Sequence, residues 1–174
     1  MTFSTERSRQ DARYREAAAA HARDIARFAA GYERDAAKRR DLLQDMHVAL
    51  WRSFAGFDER CSLRTWVYRV AHNVGADHVQ RSLRERKSTT LDDIAAHADD
   101  GADLARIDRT LDLARVMALV HALAPPDREV MLLYLEGLDA AAISEITGLS
   151  ARNVATKVHR IKAVLAQRIQ EPSP

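Results

Sequence analysis

At 174 residues, with 47% apolar and 30% charged side chains, the chain can close one domain or two small ones and is not plainly disordered. No apolar run approaches the roughly 20 residues of a membrane-spanning helix, and the N-terminal MTFSTERSRQ lacks the apolar stretch of a signal peptide, so a cytoplasmic protein without membrane insertion is expected. Cys61 is the only cysteine, which excludes an intramolecular disulfide and a cysteine-based zinc site. The net charge of +2 hides an uneven distribution. Residues 1–90 carry 18 Lys/Arg against 12 Asp/Glu, residues 91–112 carry 2 against 7, and residues 113–174 carry 7 against 6.

The pattern is helical almost throughout. All four prolines fall at Pro125, Pro126, Pro172 and Pro174, so only glycine-marked turns at Gly31, Gly56 and Gly101 are expected to interrupt the first 124 residues, and no β-alternation appears. A first helix, from about Arg9 to Ala30, puts Tyr14, Ala18, Ile25 and Phe28 on one side. A second, from about Asp35 to Phe54, does the same with Leu42, Met46, Leu50 and Phe54. After the turn AGFDERC, Ser62 caps a third helix to about Arg86 whose inner stripe is Leu63, Trp66, Val67, Val70 and Val74. Gly75 inside that helix costs about 1 kcal/mol against alanine, which a close helix contact or the approach of a nucleic acid would explain. The three helices are expected to share one core over 9–87. Residues 88–112 are acidic, poor in large apolar side chains, and read as a linker, although Leu104, Ile107 and Leu111 could begin the next helix. Fully extended, about 25 residues reach about 80 Å, roughly two turns of B-DNA at about 34–36 Å each.

The last domain, 113–170, opens with a helix from Leu113 to Ala124 bearing Val116, Met117, Val120 and Leu123. Pro125 and Pro126 stop it and start the next, Asp127 to Glu136, which Gly137 ends. A helix-turn-helix follows, Leu138 to Ile169: a short helix, a turn at Gly148, and a long helix capped by Ser150 that buries Val154, Val158, Ile161 and Leu165. Its other side carries Arg152, Thr156, His159 and Arg160, flanked by Asn153 and Lys157. Ser150–Arg168 holds five Lys/Arg and no acid, and a helix with one aliphatic face and one basic, amide-bearing face suits the major groove of DNA. The expected fold is all-α, a three- to four-helix bundle and a helix-turn-helix domain joined by an acidic linker.

Two stretches, DLLQDMHVALWRSFAGFDERCSLRTWVYRVAHNVGADHVQR (Asp41–Arg81) and LAPPDREVMLLYLEGLDAAAISEITGLSARNVATKVHRIKAVL (Leu123–Leu165), resemble the second and fourth conserved regions of extracytoplasmic-function (ECF) sigma factors, in the family's order and separation. The resemblance implies a protein that binds core RNA polymerase and directs it to promoters. It implies docking on the largest polymerase subunit through Asp41, Leu42, Gln44 and Asp45, with Leu42 and Leu43 supplying apolar area. It implies recognition of the −10 element as single strand by the turn Phe57–Ser62 and the following helix. There Arg60 and Arg64 would neutralise phosphates, Thr65 and Asn73 would bond unpaired bases, and Asp77 and Arg81, sharing a polar face with His72 and Asn73, would meet the upstream edge of the bubble. Phe57 and Trp66 keep the register of the core stripe, whereas Tyr68 is expected to be exposed as a stacking platform. By the same resemblance the −35 element is read as duplex: Arg152 and Arg160 on guanine or phosphate, Asn153 on adenine, Thr156 and Lys157 on backbone or a thymine methyl. The acidic linker would run through polymerase channels that otherwise hold nucleic acid; a plain spacer kept off DNA by its charge is the other reading.

Ser144 stands where such proteins usually carry alanine, and Lys157 where arginine is frequent, which makes Lys157 a point charge for phosphate rather than a bidentate reader. No N-terminal self-masking region is recognised, so restraint by an anti-sigma factor between the domains is the family's usual solution. The alternative is an autonomous helix-turn-helix regulator binding a palindrome as a dimer, which leaves the basic bundle and acidic linker without a role. Catalysis is not expected: no nucleophile elbow, phosphate loop or HExxH is present, and His72 and His78 lie six apart rather than the four that would stack them on a metal, so no catalytic, cofactor or metal residues are expected. Cys61, in the −10 turn, reads as a small filler rather than a redox sensor.

Overall fold

A computed structural model describes the backbone of residues 2–89 and 107–170 and the side chains of residues 6–85 and 114–169. Seven helices form, α1 (Thr2–Tyr32), α2 (Ala36–Ser53), α3 (Leu63–Thr89), α4 (Ile107–His121), α5 (Pro125–Leu135), α6 (Ala140–Thr147) and α7 (Ala151–Gln170), and no strand occurs among the described residues. The acidic 88–112 segment lies mostly outside the description, although α3 and α4 reach into it from either side; Gly101 and Leu104 are likewise outside.

Helices α1 to α3 make the expected bundle. Asp35 caps α2 by accepting from the amides of Ala37 and Lys38 at 3.0 and 2.8 Å, a cap worth about 1 kcal/mol. Ser62 caps α3 through the amide of Thr65 at 3.0 Å. Ile25, Phe28, Leu42, Met46, Leu50, Phe54 and Val67 fill the centre, with Ala17 rather than Ala18 facing it. Gly75 is explained by helix packing: a Cβ there would stand 2.8 Å from the ring of Tyr32, so the two helices meet where any side chain would intrude. Gly31 is no turn, because α1 continues through it.

In the second unit α4 begins at Ile107, so Ile107 and Leu111 belong to this helix rather than to the linker, and Pro125 and Pro126 open α5. Val130, Leu133, Leu138, Ile143, Ile146, Val154, Val158, Ile161 and Leu165 make one core. Gly148, at φ 75°, supplies the left-handed turn between α6 and α7 that L side chains rarely adopt. Ser144 has a visible use at the same corner: its hydroxyl donates to the carbonyl of Leu149 at 2.6 Å.

The two units are packed on each other, which nothing in the periodicity foretells. Leu132 of α5 is buried against Gly31 of α1, where an added Cβ would lie 2.3 Å from its methyl. Glu136, at the end of α5, is the polar centre of this interface, with a side chain only 5% exposed. It accepts from Arg27 at 2.8 and 2.5 Å and from the Tyr68 hydroxyl at 2.7 Å, while its backbone carbonyl accepts from Arg64. Arg69 pairs with Glu145 of α6, and His121 and Arg34 donate to the carbonyls of Ala30 and Ala118 at 3.0 and 3.1 Å.

Candidate nucleic-acid interface

On α7 the sequence pattern and the structure agree in detail. Ser150 accepts from the amide of Asn153 at 3.2 Å, and Val154, Val158, Ile161 and Leu165 are buried, which turns Arg152, Asn153, Thr156, His159 and Arg160 to solvent. Thr156 donates to the carbonyl of Arg152 at 2.9 Å, so the hydroxyl proton is engaged within the helix and the methyl is the group left for a partner. Lys157 is half-buried, and it and Arg160 both pair with Asp127 at the start of α5, each at 2.6 Å. Asp127 escaped the sequence reading because it lies 30 residues before its nearer partner.

The turn before α3 is also formed as expected. Arg60 is exposed and pairs with Asp58 at 2.8 Å, and Asn73, Asp77 and Arg81 lie exposed along α3. Four expectations change. Thr65 is buried, its hydroxyl hydrogen-bonded to Ser62 at 2.8 Å in the helix cap, so it faces inward rather than toward a strand. His72 leaves the polar face: it is buried against the Tyr32 hydroxyl at 3.0 Å, and burial lowers its pKa. Tyr68 is no exposed platform but is 1% exposed, stacked edge-on to Phe28, with its pKa raised by burial and by the carboxylate of Glu136. Leu42 belongs to the core, so it offers no docking area; the exposed face of α2 is Asp41, Gln44, Asp45 and Val48.

Phe57 and Trp66 are half-buried as their register implies, with ring centroids 5.0 Å apart and the Trp66 indole N–H donating to Ser53 at 2.9 Å. Beside them Arg13 from α1 stacks over Phe57 and pairs with Glu59, which is the one non-glycine residue of positive φ (61°) among those described. Arg13, Glu16, Phe57, Glu59, Cys61 and Leu63 line a pocket of about 320 Å³ under the turn. Arg13, which belongs to a helix far off in sequence, gave no signal of this. Burial pushes the Cys61 thiol above its usual pKa, which disfavours the reactive thiolate and fits a filler. No described helix is long and apolar enough to cross a membrane.

Known proteins carry the same two units. Residues 17–85 match sigma-70 region 2, and residues 113–165 match sigma-70 region 4. The ECF RNA polymerase sigma factor SigC of Mycobacterium tuberculosis is 32% identical over 143 residues, 82% of this chain and 75% of that protein. The ECF RNA polymerase sigma-E factor of Haemophilus influenzae is 26% identical over 140 residues, 75% of this chain and 74% of the relative. Among solved structures, RpoE in complex with the anti-sigma factor NepR from Bartonella quintana superposes with a TM-score of 0.74 at 19% identity, over 92% of this chain and 98% of that one. CnrH in complex with the cytosolic domain of CnrY gives 0.68 at 22%, over 98% and 96%. These two likenesses concern the fold alone.

Proposed function

The chain belongs to the ECF RNA polymerase sigma factors, and on that premise we propose how its two helical units divide promoter recognition. It directs promoter-specific initiation by RNA polymerase. Our reading of its residues is that 9–87 docks on core polymerase and opens the −10 element, 88–112 is the connecting tether, and 113–170 reads the −35 element. Chemistry stays with the polymerase, so the chain itself is no enzyme, and its place of work is the cytoplasm, where polymerase meets DNA.

The observation that carries the −35 assignment is the exposed face of α7, where Arg152, Asn153, Thr156 and Arg160 stand together in solvent over a buried aliphatic stripe. On the −10 side, Arg60 and Arg64 serve phosphates, Asn73, Asp77 and Arg81 face the upstream edge, and the pocket under the turn takes an unpaired base in place of the stacking it loses. Thr65 is left out because its hydroxyl is inside the cap. Polymerase docking falls to Asp41, Gln44 and Asp45, with Val48 supplying the apolar contact first given to Leu42.

In the packed arrangement Arg64 is bound to Glu136 and Arg69 to Glu145, so freeing the Arg64 guanidinium for a phosphate requires the second domain to move aside. The 17 residues from 90 to 106, between α3 and α4, are long enough to permit such separation. An anti-sigma factor that stabilises the packed state would restrain the protein, by analogy with RpoE of Bartonella quintana in its complex with the anti-sigma factor NepR.

Run-off transcription with purified core polymerase on a promoter library tests the whole reading: start sites should appear only with this chain present. Asp45→Arg should abolish copurification with core polymerase while circular dichroism stays unchanged. Wild-type copurification of that variant would remove α2 as the docking face. Tight palindrome binding by the free chain would instead favour an autonomous regulator.

A further inference from the structure

We propose that Asp127 is a positioning residue for duplex reading: its carboxylate presets Arg160 and Lys157 on the recognition helix and keeps part of their charge from indiscriminate phosphate binding. The inference rests on α7 being the −35 reader. Asp127 is outside the helix-turn-helix and follows Pro125-Pro126, which fix the backbone of the first turn of α5. The positive end of that helix favours a carboxylate there. One oxygen takes Lys157 and the other Arg160, each at 2.6 Å, and the three side chains together carry a net charge of about +1 instead of +2.

The geometry leaves the arginine usable. Only one guanidinium nitrogen meets Asp127, and the Arg160 side chain remains 60% exposed, so its other N–H groups can face a base edge. Lys157, at 22% exposure, is the more sequestered of the two. Arg152 differs: no hydrogen bond or ion pair is seen for its side chain among the described residues, so it reaches DNA as a free rotor. A long cation without a partner loses more side-chain freedom on binding and can settle on a phosphate as well as on a base edge. A guanidinium whose plane is fixed beforehand favours the planar, bidentate geometry of guanine O6 and N7. The ligand selected is thus a guanine edge in the major groove, at the step facing Arg160.

The test uses the full chain assembled with core polymerase. Its probes are a duplex selected by the wild-type holoenzyme from a library randomised over the −35 element, and a scrambled duplex. Asp127→Asn should reduce discrimination between them about tenfold, raise affinity for the scrambled probe, and steepen the slope of log affinity against log salt by about 0.9 for one added phosphate contact. In an Arg160→Ala background Asp127→Asn should cost no further discrimination, which a merely structural role would not predict. If Asp127→Asn lowers the melting temperature, Asp127→Glu is compared instead, with a smaller loss and an unchanged salt slope expected. Undiminished discrimination in these variants, while Arg160→Ala still loses it, overturns the role of Asp127 alone. Undiminished discrimination in Arg152→Ala and Arg160→Ala as well removes α7 as the reader, and the inference with it.

Discussion

The exposed polar groups of α7 stand in solvent, whereas three polar side chains on the early turns of α3 touch the other domain. Arg152, Asn153 and Thr156 are free of any interdomain contact, while Arg64, Tyr68 and Arg69 are all engaged with Glu136 or Glu145. The difference teaches that the face proposed for duplex reading is presented continuously, whereas among the groups proposed for the strand Arg64 is held by the other unit and Arg60, Asn73, Asp77 and Arg81 stay exposed. A guanidinium is a good group for such an arrangement, because a carbonyl or carboxylate that holds it in the packed state can be replaced by a phosphate once the domains part.

The largest expected effect is on the open face. Arg152→Ala and Arg160→Ala should each remove about 1–3 kcal/mol of −35 discrimination while leaving polymerase binding intact. Start-site use on promoters with and without the −35 element reads this, and a uniform loss on all promoters would mean phosphate contact only. On the covered turns of α3, Glu136→Ala should leave Tyr68 without its acceptor and open the domains, an effect of about 1–3 kcal/mol. The free variant should show a larger radius in small-angle scattering and tighter binding to a single-stranded −10 oligonucleotide; an unchanged radius would show that Glu136 does not hold the closure.

Two glycines separate closure from folding. Gly31→Ala intrudes on Leu132 across the interface and Gly75→Ala on Tyr32 within the bundle, each at a cost of about 1–3 kcal/mol. The first should loosen domain packing with little change in the melting of the N-terminal bundle, and the second should lower that melting directly. Equal melting losses in both would contradict the distinction.

The smallest effect is on pH. Burial, with Arg34 and Arg128 nearby, pushes the His121 pKa down to about 4 from 6.5. The open or unfolded chain therefore takes up the proton first as pH falls. Closure is fully favoured above pH 6.5 and weakens between 6.5 and about 4, by about 1–2 kcal/mol once solvent screening of this partly exposed ring is allowed for. His121→Gln, which can still donate to the Ala30 carbonyl, should flatten that dependence in scattering measured across the window; an unaltered profile would assign it to another group.

Local chemistry written in neighbouring residues was legible before any coordinates. Ser62 and Ser150 cap helices because a short polar side chain reaches an amide three residues on, and the stripe of α7 follows from a period of 3.6. The sequence by itself therefore determined an all-helical chain of two units, the basic amphipathic helix at its end, and its family. Periodicity says which side of a helix is dry, but not whether a second surface will cover the wet side. For that reason Tyr68, off the core stripe by register, is covered by Phe28 and Glu136, whereas Leu42 stays on the dry side its own register gives it and Thr65 is drawn into the cap of α3 by Ser62. Only the tertiary structure decided that Glu136 closes over α3, that Asp127 meets Lys157 and Arg160, and that Arg13 flanks the pocket under the turn before α3. Each joins residues at least 30 positions apart, where ion pairs and close packing depend on positions in space that no local pattern encodes.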